Sequence, residues 1–177
     1  MNIRIARTPS DIASVRRLFT GYGNFIHLTL GIDLWDYDFG AEIDSLPGPY
    51  VAPAGCLLLA AGDSGAVGIK GGPIEGTCEL KRFFVDESAR GLGVGRALLA
   101  AAVEFAVAAG HQRMLLDTKA DLTSAIRLYE SVGFRVIRPY WDNPVPNVLC
   151  YGLELRRSRR RRGTARPERT AATTNEP

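Results

Sequence analysis

The chain has 177 residues, of which 46% are hydrophobic and 23% are charged, a composition typical of a globular protein with a sizeable core. It contains no signal peptide and no run of ~20 apolar residues that could span a membrane, so we expect a cytoplasmic protein without membrane contact. Cys56, Cys78 and Cys150 are far apart and odd in number, which favours reduced, buried thiols over a disulfide framework or a zinc site.

The net charge of +3 is unevenly distributed along the chain. Residues 156–177 contain eight arginines and two glutamates, so this tail carries +6 and the rest of the chain carries −3. The tail lacks the apolar periodicity that packing requires, and we expect it to be disordered. The predicted organisation is therefore one folded domain over residues 1–155, followed by a tail with only weak affinity for nucleic acid.

The first predicted elements are a short strand and a long helix. Residues 2–7 alternate in polarity as a strand does. Residues 8–11 (TPSD) provide an N-cap, a proline at the first helical position and an acid in the first turn. Apolar residues then recur at helical spacing over 12–22, although Gly21 and Gly23 leave the end of this helix uncertain.

The middle of the chain predicts a second helix and then antiparallel strands. The helix is expected over the acidic segment 34–46, which Pro47 follows. Short apolar runs at 56–61 and 66–70 flank a glycine-containing turn and predict a β-hairpin. A further strand is expected over residues 78–85.

Strands and helices alternate through the rest of the chain. A helix is expected to about Ala109, ended by Gly110, and the buried strand 113–118 should lie parallel to the strand at 78–85 because a helix separates them. Asp121 is expected to cap a further helix that Gly133 ends. Short strands at 134–137 and 147–155 would complete the sheet.

The most informative segment is the glycine-rich run at 90–96 (RGLGVGR), which joins the strand at 78–85 to the following helix. Such a strand, turn and helix direct free backbone N–H groups and the positive end of a helix dipole at a phosphate. A dinucleotide site needs a different glycine spacing, and a P-loop needs Gly-Lys-Ser/Thr, which is missing here. The segment therefore predicts another phosphate-bearing ligand.

Two motifs resemble the GCN5-related N-acetyltransferase (GNAT) family. Residues 90–95 match its acyl-CoA signature, Arg/Gln-x-x-Gly-x-Gly/Ala, and residues 125–134 (AIRLYESVGF) resemble its A-x-x-L-Y-x-x-x-G-F helix. With the order of elements, the resemblance covers about residues 2–155. It implies a mixed α/β fold, in which helices cover both faces of a mostly antiparallel sheet whose parallel pair is splayed at the acyl-CoA site. Glu87 and Leu122 depart from the family's frequent Pro and Asn, and neither change overturns the resemblance.

The resemblance implies an N-acetyltransferase that uses acetyl-CoA and no metal. The acetyl group would pass to a primary amine of a small molecule or peptide by direct attack in a ternary complex. Backbone N–H groups of the glycine turn would bind the pyrophosphate, and the backbone of the preceding strand would bind the pantetheine. The residues expected at the coenzyme are Phe83, Phe84, Val85, Arg90, Gly91, Leu92, Gly93, Val94, Gly95 and Arg96.

Three side chains are candidates for proton transfer. Tyr129 occupies the tyrosine position of the second motif and would protonate the coenzyme thiolate, since a phenol with a pKa of about 10 is protonated at neutral pH. Glu79, on the strand leading to the site, is the first choice as general base, and Asp117 is the second.

The acceptor is expected against Tyr140, Trp141 and Asn143. Nearby acidic residues would attract a cationic amine. They are Asp33, Asp36, Asp38, Glu42 and Asp44. Two alternatives from other functional classes stay open: a noncatalytic acyl-CoA sensor and a nucleic-acid-associated protein that acts through the tail. A homodimer also stays open.

Overall fold

The computed structural model describes residues 1–143 and 145–155, so the tail at 156–177 and its predicted disorder lie outside the described residues. The strands are β1 (Ile3–Ile5), β2 (Cys56–Ala60), β3 (Gly65–Gly71), β4 (Thr77–Val85), β5 (Arg113–Lys119), β6 (Arg135–Ile137) and β7 (Val148–Glu154). The α-helices are α1 (Pro9–Leu30), α2 (Phe39–Asp44), α3 (Val94–Ala108) and α4 (Thr123–Val132). None of these helices is long and apolar enough to cross a membrane.

The strands form one sheet in the order β1-β2-β3-β4-β5-β7-β6. All neighbouring strands are antiparallel except β4 and β5, which are parallel as predicted from the helix between them. The hairpin of β2 and β3 is also confirmed. The mixed α/β fold with a mostly antiparallel sheet therefore agrees with the sequence prediction.

The start of α1 follows the predicted cap. The Asp11 N–H donates to Thr8 Oγ1 and the Thr8 N–H donates to the Asp11 carboxylate, both at 3.1 Å. The helix is 22 residues long and continues past both internal glycines to Leu30. At Gly23, a Cβ would lie 2.6 Å from the rings of Phe39 and Trp35. This glycine therefore permits close packing of α1 and does not end the helix.

The acidic segment 34–46 does not form the single helix that was predicted. It forms a 3-10 turn over Leu34–Tyr37, followed by α2. Asp38 between them has a left-handed φ of 60°, which interrupts the helical hydrogen-bond ladder. Phe39 and Ile43 of α2 are buried in the core, so packing of this short helix determines where the chain bends.

Hydrophobic side chains cover both faces of the sheet. On one face, Leu57 and Leu59 of β2 pack in a cluster with α1 and α2. On the other face, Leu58 packs with Leu98 and Leu99 of α3. Successive strand residues point to opposite faces, so this double cover explains why β2 is buried throughout.

The sheet opens between its two parallel strands. β4 and β5 pair at only three positions, the last of which joins Glu79 and Leu115, and then they separate. On its other side, β4 stays paired with β3 as far as Val85, through an irregularity where Arg82 adopts a φ of 54°. The main chain of β4 beyond Glu79 therefore faces an opening, which we call the fork.

The helix after β5 begins later than predicted. Asp121 does not cap α4, because the chain is still turning there and the Asp121 carbonyl accepts the Thr123 N–H at 2.9 Å. Leu122 stands at the N-cap without a capping side chain. Gly110 and Gly133 have left-handed φ values of 89° and 113°, which confirms them as the residues that end α3 and α4.

Candidate active site

The fork opens into a cleft of about 830 Å³. The edge of β4, the glycine turn before α3, the end of β5 and the first turns of α4 line it, and α1 contributes aromatic residues. The cleft therefore combines an unpaired strand edge with the N-terminus of a helix.

The glycine turn is open toward this cleft. Gly91 and Gly93 have left-handed φ values of 78° and 83°, and a Cβ at either position would meet no atom within 4 Å. Glycine is thus favoured here by backbone conformation and not by crowding. Gly93 stands at the N-cap of α3 without a capping side chain, so the first-turn N–H groups of the helix are available to an anion.

The two arginines flanking the turn have different surroundings. Arg90 donates from Nε to the Val85 carbonyl at 3.2 Å, and its guanidinium lies 4.8 Å from the Phe25 ring centroid. Arg90 thereby holds the end of β4 while it lines the cleft. Arg96 lines the cleft from the first turn of α3, so both arginines place positive charge where the glycine turn opens.

The residues predicted on β4 and in the turn also lie at the cleft. Phe83, Phe84 and Val85 line it, and the Phe84 side chain is buried toward α1. Leu92 is the exception among the residues predicted at the coenzyme, because it is 68% exposed and does not line the cleft.

Tyr129 of α4 lines the cleft. Its ring centroid lies 5.9 Å from those of Phe83 and Phe134, and the residue is only 6% exposed. Burial, reinforced by Tyr22 and Asp117, raises the pKa of the Tyr129 phenol above its ordinary value of 10. Its hydroxyl therefore stays protonated across the neutral range.

The two candidate bases lie on opposite sides of the fork. Glu79 is buried, accepts the Tyr140 hydroxyl on Oε1 at 3.0 Å, and lies 3.2 Å from Lys70 Nζ through Oε2. Asp117 lies 2.7 Å from Lys81 Nζ and accepts the Asn143 amide at 3.0 Å. Asp117 lines the cleft, whereas Glu79 lines a separate pocket.

This second pocket, of about 780 Å³, adjoins the cleft at β4. Lys81, Arg82 and Trp141 line both cavities, so the two meet at the strand that carries Glu79. Of the predicted acceptor residues, Tyr140 lines only the second pocket, Asn143 lines only the cleft, and Trp141 lies between them.

Sequence reasoning expected Glu42 near the acceptor but did not assign Arg82, Tyr50 or Tyr22 to the site. Arg82 Nη2 lies 2.6 Å from Glu42 Oε2, and its guanidinium lies 4.8 Å from the Phe39 ring centroid. Glu42 also accepts the Tyr50 hydroxyl, and Tyr22 lines the cleft. The available signal was the pair of cations at 81 and 82, directly before the apolar residues 83–85 at the end of the strand.

The acidic segment contributes less to the site than expected. Only Asp38 and Glu42 line the second pocket, and Glu42 is paired with Arg82. Asp33, Asp36 and Asp44 line neither cavity. The structure therefore does not bring the acidic segment together as a surface for a cationic amine.

The cysteines do not offer a nucleophile. All three are buried, and burial raises the pKa of the Cys56 and Cys78 thiols to about 12. Burial raises the pKa of the Cys150 thiol as well. Among residues 1–143 and 145–155, no group of three His, Cys, Asp or Glu side chains is arranged to hold a metal ion.

Comparison with known proteins agrees with this geometry. Residues 38–134 match the family described as Acetyltransferase (GNAT) family. An uncharacterized N-acetyltransferase of Schizosaccharomyces pombe is 33% identical over 161 residues, covering 88% of this chain and 95% of that protein. The N-acetylaspartate synthetase of Danio rerio is 34% identical over 109 residues, covering 59% of this chain but only 39% of the synthetase.

A solved structure shows the same fold. The structure of a putative acetyltransferase from Salmonella typhimurium, solved with its cofactor acetyl-CoA, superimposes with a TM-score of 0.65 at 19% identity, and the match covers 89% of this chain and 95% of that protein. The match of the family over more than half of the chain and the full-length relative both agree with the two sequence motifs. The chain therefore belongs to the GNAT family of acetyltransferases.

Proposed function

We propose that the cleft binds acetyl-CoA and that the second pocket receives the acceptor, a primary amine of a small molecule or peptide. The observation that carries this proposal is the fork, where β4 leaves its main chain unpaired beside the left-handed glycine turn. The open space over Gly91 and Gly93 fits a pyrophosphate that must approach the backbone closely. Acetyl-CoA, when bound, supplies the acetyl group as a reactive thioester.

Different segments of the cleft bind different parts of acetyl-CoA. The N–H groups of Gly91 and of residues 93–96 bind the pyrophosphate, since the Leu92 N–H already donates to the Ala89 carbonyl, and Arg90 and Arg96 add positive charge. The free edge of β4 at 83–85 hydrogen-bonds the pantetheine as an added strand would, and one of its N–H groups polarises the thioester carbonyl. Because only main-chain groups take part, the apolar side chains of this segment remain available for the core.

Two side chains move protons in this mechanism. Tyr129, which its raised pKa keeps protonated at neutral pH, donates its phenolic proton to the departing thiolate. Glu79 takes a proton from the acceptor amine, directly or through a water, from the pocket that adjoins the fork. Asp117 is the alternative base, favoured by its place in the cleft itself.

Substitution of the two carboxylates separates these assignments. Glu79→Gln should lower kcat by about a hundred-fold or more near neutral pH, because a general base is lost, while Asp117→Asn should have a smaller effect. The loss should shrink at higher pH, where the amine gives its proton to solvent. Rates are measured by thiol release from pH 6 to 10, with Glu104→Gln on the exposed face of α3 as the control. A larger loss in Asp117→Asn would reassign the base to Asp117.

The function itself is tested by a screen of amines with acetyl-CoA, read by free thiol release and confirmed by mass spectrometry of the product. Amino acids, polyamines, aminoglycosides and peptides with free N-termini cover the acceptor classes. We expect acceptor-dependent turnover with at least one class. Thiol release that no amine accelerates would contradict transfer to an amine.

We also propose that residues 1–155 suffice as the catalytic domain. β7 ends at Glu154, which pairs with Arg113 at the start of β5, so the described sheet is complete before the tail begins. Deletion of residues 156–177 should leave the melting temperature within about 2 °C and the affinity for acetyl-CoA unchanged. Calorimetry of both proteins tests this, and loss of cooperative unfolding in the shortened chain would show that the tail belongs to the fold.

A further inference from the structure

Three ion pairs involve the cations that line the second pocket. They are Lys70–Glu79, Lys81–Asp117 and Arg82–Glu42. The side chains of Lys81 and Arg82 are 15% and 17% exposed, and each lies within 2.7 Å of its carboxylate. The Lys70 side chain is 33% exposed, and its Nζ lies 3.2 Å from its partner. Lys70 is thus the least constrained of the three cations.

Glu79 would remain held if Lys70 moved away. Its Oε1 accepts the Tyr140 hydroxyl, whereas its Oε2 faces Lys70 Nζ. Departure of Lys70 would leave Oε2 as a buried carboxylate oxygen without a cation, which is unfavourable unless another charged donor takes its place. An ammonium group that enters the pocket is such a donor.

The charge of the pocket favours a ligand with both signs of charge. Its lining carries three cations and three carboxylates, Lys70, Lys81, Arg82, Asp38, Glu42 and Glu79. A ligand with a single positive charge would leave this balanced site with an excess of positive charge beside Lys81 and Arg82. A zwitterion keeps the balance and offers a partner to each member of the Lys70–Glu79 pair.

We propose that the acceptor is a free α-amino acid, whose carboxylate binds Lys70 and whose ammonium group binds Glu79. This inference rests on the proposed acetyl transfer and specifies its acceptor. Binding exchanges one ion pair for two, and it removes the cation beside Glu79 at the moment when Glu79 must accept a proton. A peptide N-terminus or a simple amine has no carboxylate beside its nitrogen. It therefore offers Lys70 no partner, and the Lys70–Glu79 ion pair stays intact.

The proton balance of this step is simple. Glu79 takes one proton from the ammonium group and later releases it to solvent. The neutral nitrogen forms the bond to the acetyl carbon, the carbon–sulfur bond breaks, and the sulfur leaves with its electron pair. The second proton leaves the nitrogen for solvent. Tyr129 protonates the sulfur and regains its proton from solvent, so that one proton is released overall. The products are an N-acetylated amino acid and the free thiol.

Matched pairs of acceptors test the proposal. Each proteinogenic L-amino acid is compared with its own α-carboxamide, which keeps the side chain and the amine but lacks the carboxylate. A larger fraction of the carboxamide's amine is unprotonated at neutral pH because the pKa of this amine is lower, so protonation alone would favour the carboxamide. We nevertheless expect kcat/KM to be about ten- to a hundred-fold higher for the preferred amino acid than for its carboxamide.

Variants at Lys70 locate the origin of this preference. Lys70→Met should lose most of the preference, because kcat/KM should fall much further for the amino acid, mainly through a higher KM, than for the carboxamide. Lys70→Arg should retain it. Arg7→Met removes the same charge from an exposed residue that lines neither cavity and serves as the control.

The outcomes distinguish this proposal from the function on which it rests. Equal turnover of both members of each pair, or an equal loss for both in Lys70→Met, overturns amino-acid recognition and leaves acetyl transfer standing. Turnover of peptides or polyamines but of no amino acid likewise overturns amino-acid recognition and leaves acetyl transfer standing. If no amine of any class is acetylated, both the acceptor assignment and the transfer reaction are wrong.

Discussion

Gly93→Asp should abolish the thermal stabilisation that acetyl-CoA gives the wild-type protein. A ligand at a hundred times its Kd stabilises the folded state by about 2.7 kcal/mol, or roughly 5–10 °C for a domain of this size. The variant places a carboxylate at the N-cap of α3, where the pyrophosphate is expected, and repels it. The measurement is the melting temperature with and without acetyl-CoA.

The same substitution should destabilise the free protein only modestly. A side chain at the left-handed φ of 83° is strained, but aspartate tolerates such conformations better than most residues, and a Cβ at Gly93 meets no neighbouring atom. We therefore expect the melting temperature without ligand to fall by about 2–4 °C, as for a loss of about 1 kcal/mol. Gly62→Asp, which has a similar left-handed φ of 69° and open space, is the matched control outside the cleft. Full stabilisation of Gly93→Asp by acetyl-CoA, or equal stabilisation of the wild type by NAD, would contradict the coenzyme site.

Tyr129→Phe should lower kcat by roughly ten- to a thousand-fold with little change in the Kd for acetyl-CoA. The ring contacts with Phe83 and Phe134 survive, and only the hydroxyl is lost. Single-turnover rates and calorimetric Kd values separate chemistry from binding. Tyr151→Phe, which removes a hydroxyl that donates to Glu130 outside the cleft, is the control.

Two other results would change the role of Tyr129. Wild-type turnover in Tyr129→Phe would make the tyrosine a packing residue, and an equal fall in rate and affinity would make its hydroxyl a binding group. Tyr22→Phe is informative beside it, because Tyr22 lines the same cleft and its pKa is likewise raised by burial. A large loss in that variant alone would transfer the acid role to Tyr22.

Sequence patterns predicted the parts of the site that are formed by residues close together in the chain. The strand, glycine turn and helix around residues 90–96 follow from backbone preferences, and the structure places them as the sequence indicates. The fork could be expected only from the family resemblance. Nothing in the residues of β4 or β5 alone indicates that their pairing ends at Glu79.

Contacts between distant elements could not be predicted in the same way. The pairing of Glu79 with Lys70 depends on the register of β3 and β4, and that of Arg82 with Glu42 depends on where α2 packs. The break at Asp38 likewise reflects packing of Phe39 against α1, which overrides the helical tendency of the segment. Such features depend on tertiary contacts, which sequence periodicity does not describe.

The fork also bears on which molecules can pair with the free edge of β4. An exposed strand edge is ordinarily found at the rim of a sheet, where strands of other molecules can add to it and start aggregation. Here the free edge of β4 lies in the middle of the sheet, between β5 and the aromatic residues of α1. A strand that belongs to another sheet would bring its own neighbouring strands to this slot, whereas a single extended ligand brings none. The position of the fork inside the sheet therefore favours an extended ligand over a strand of a second molecule.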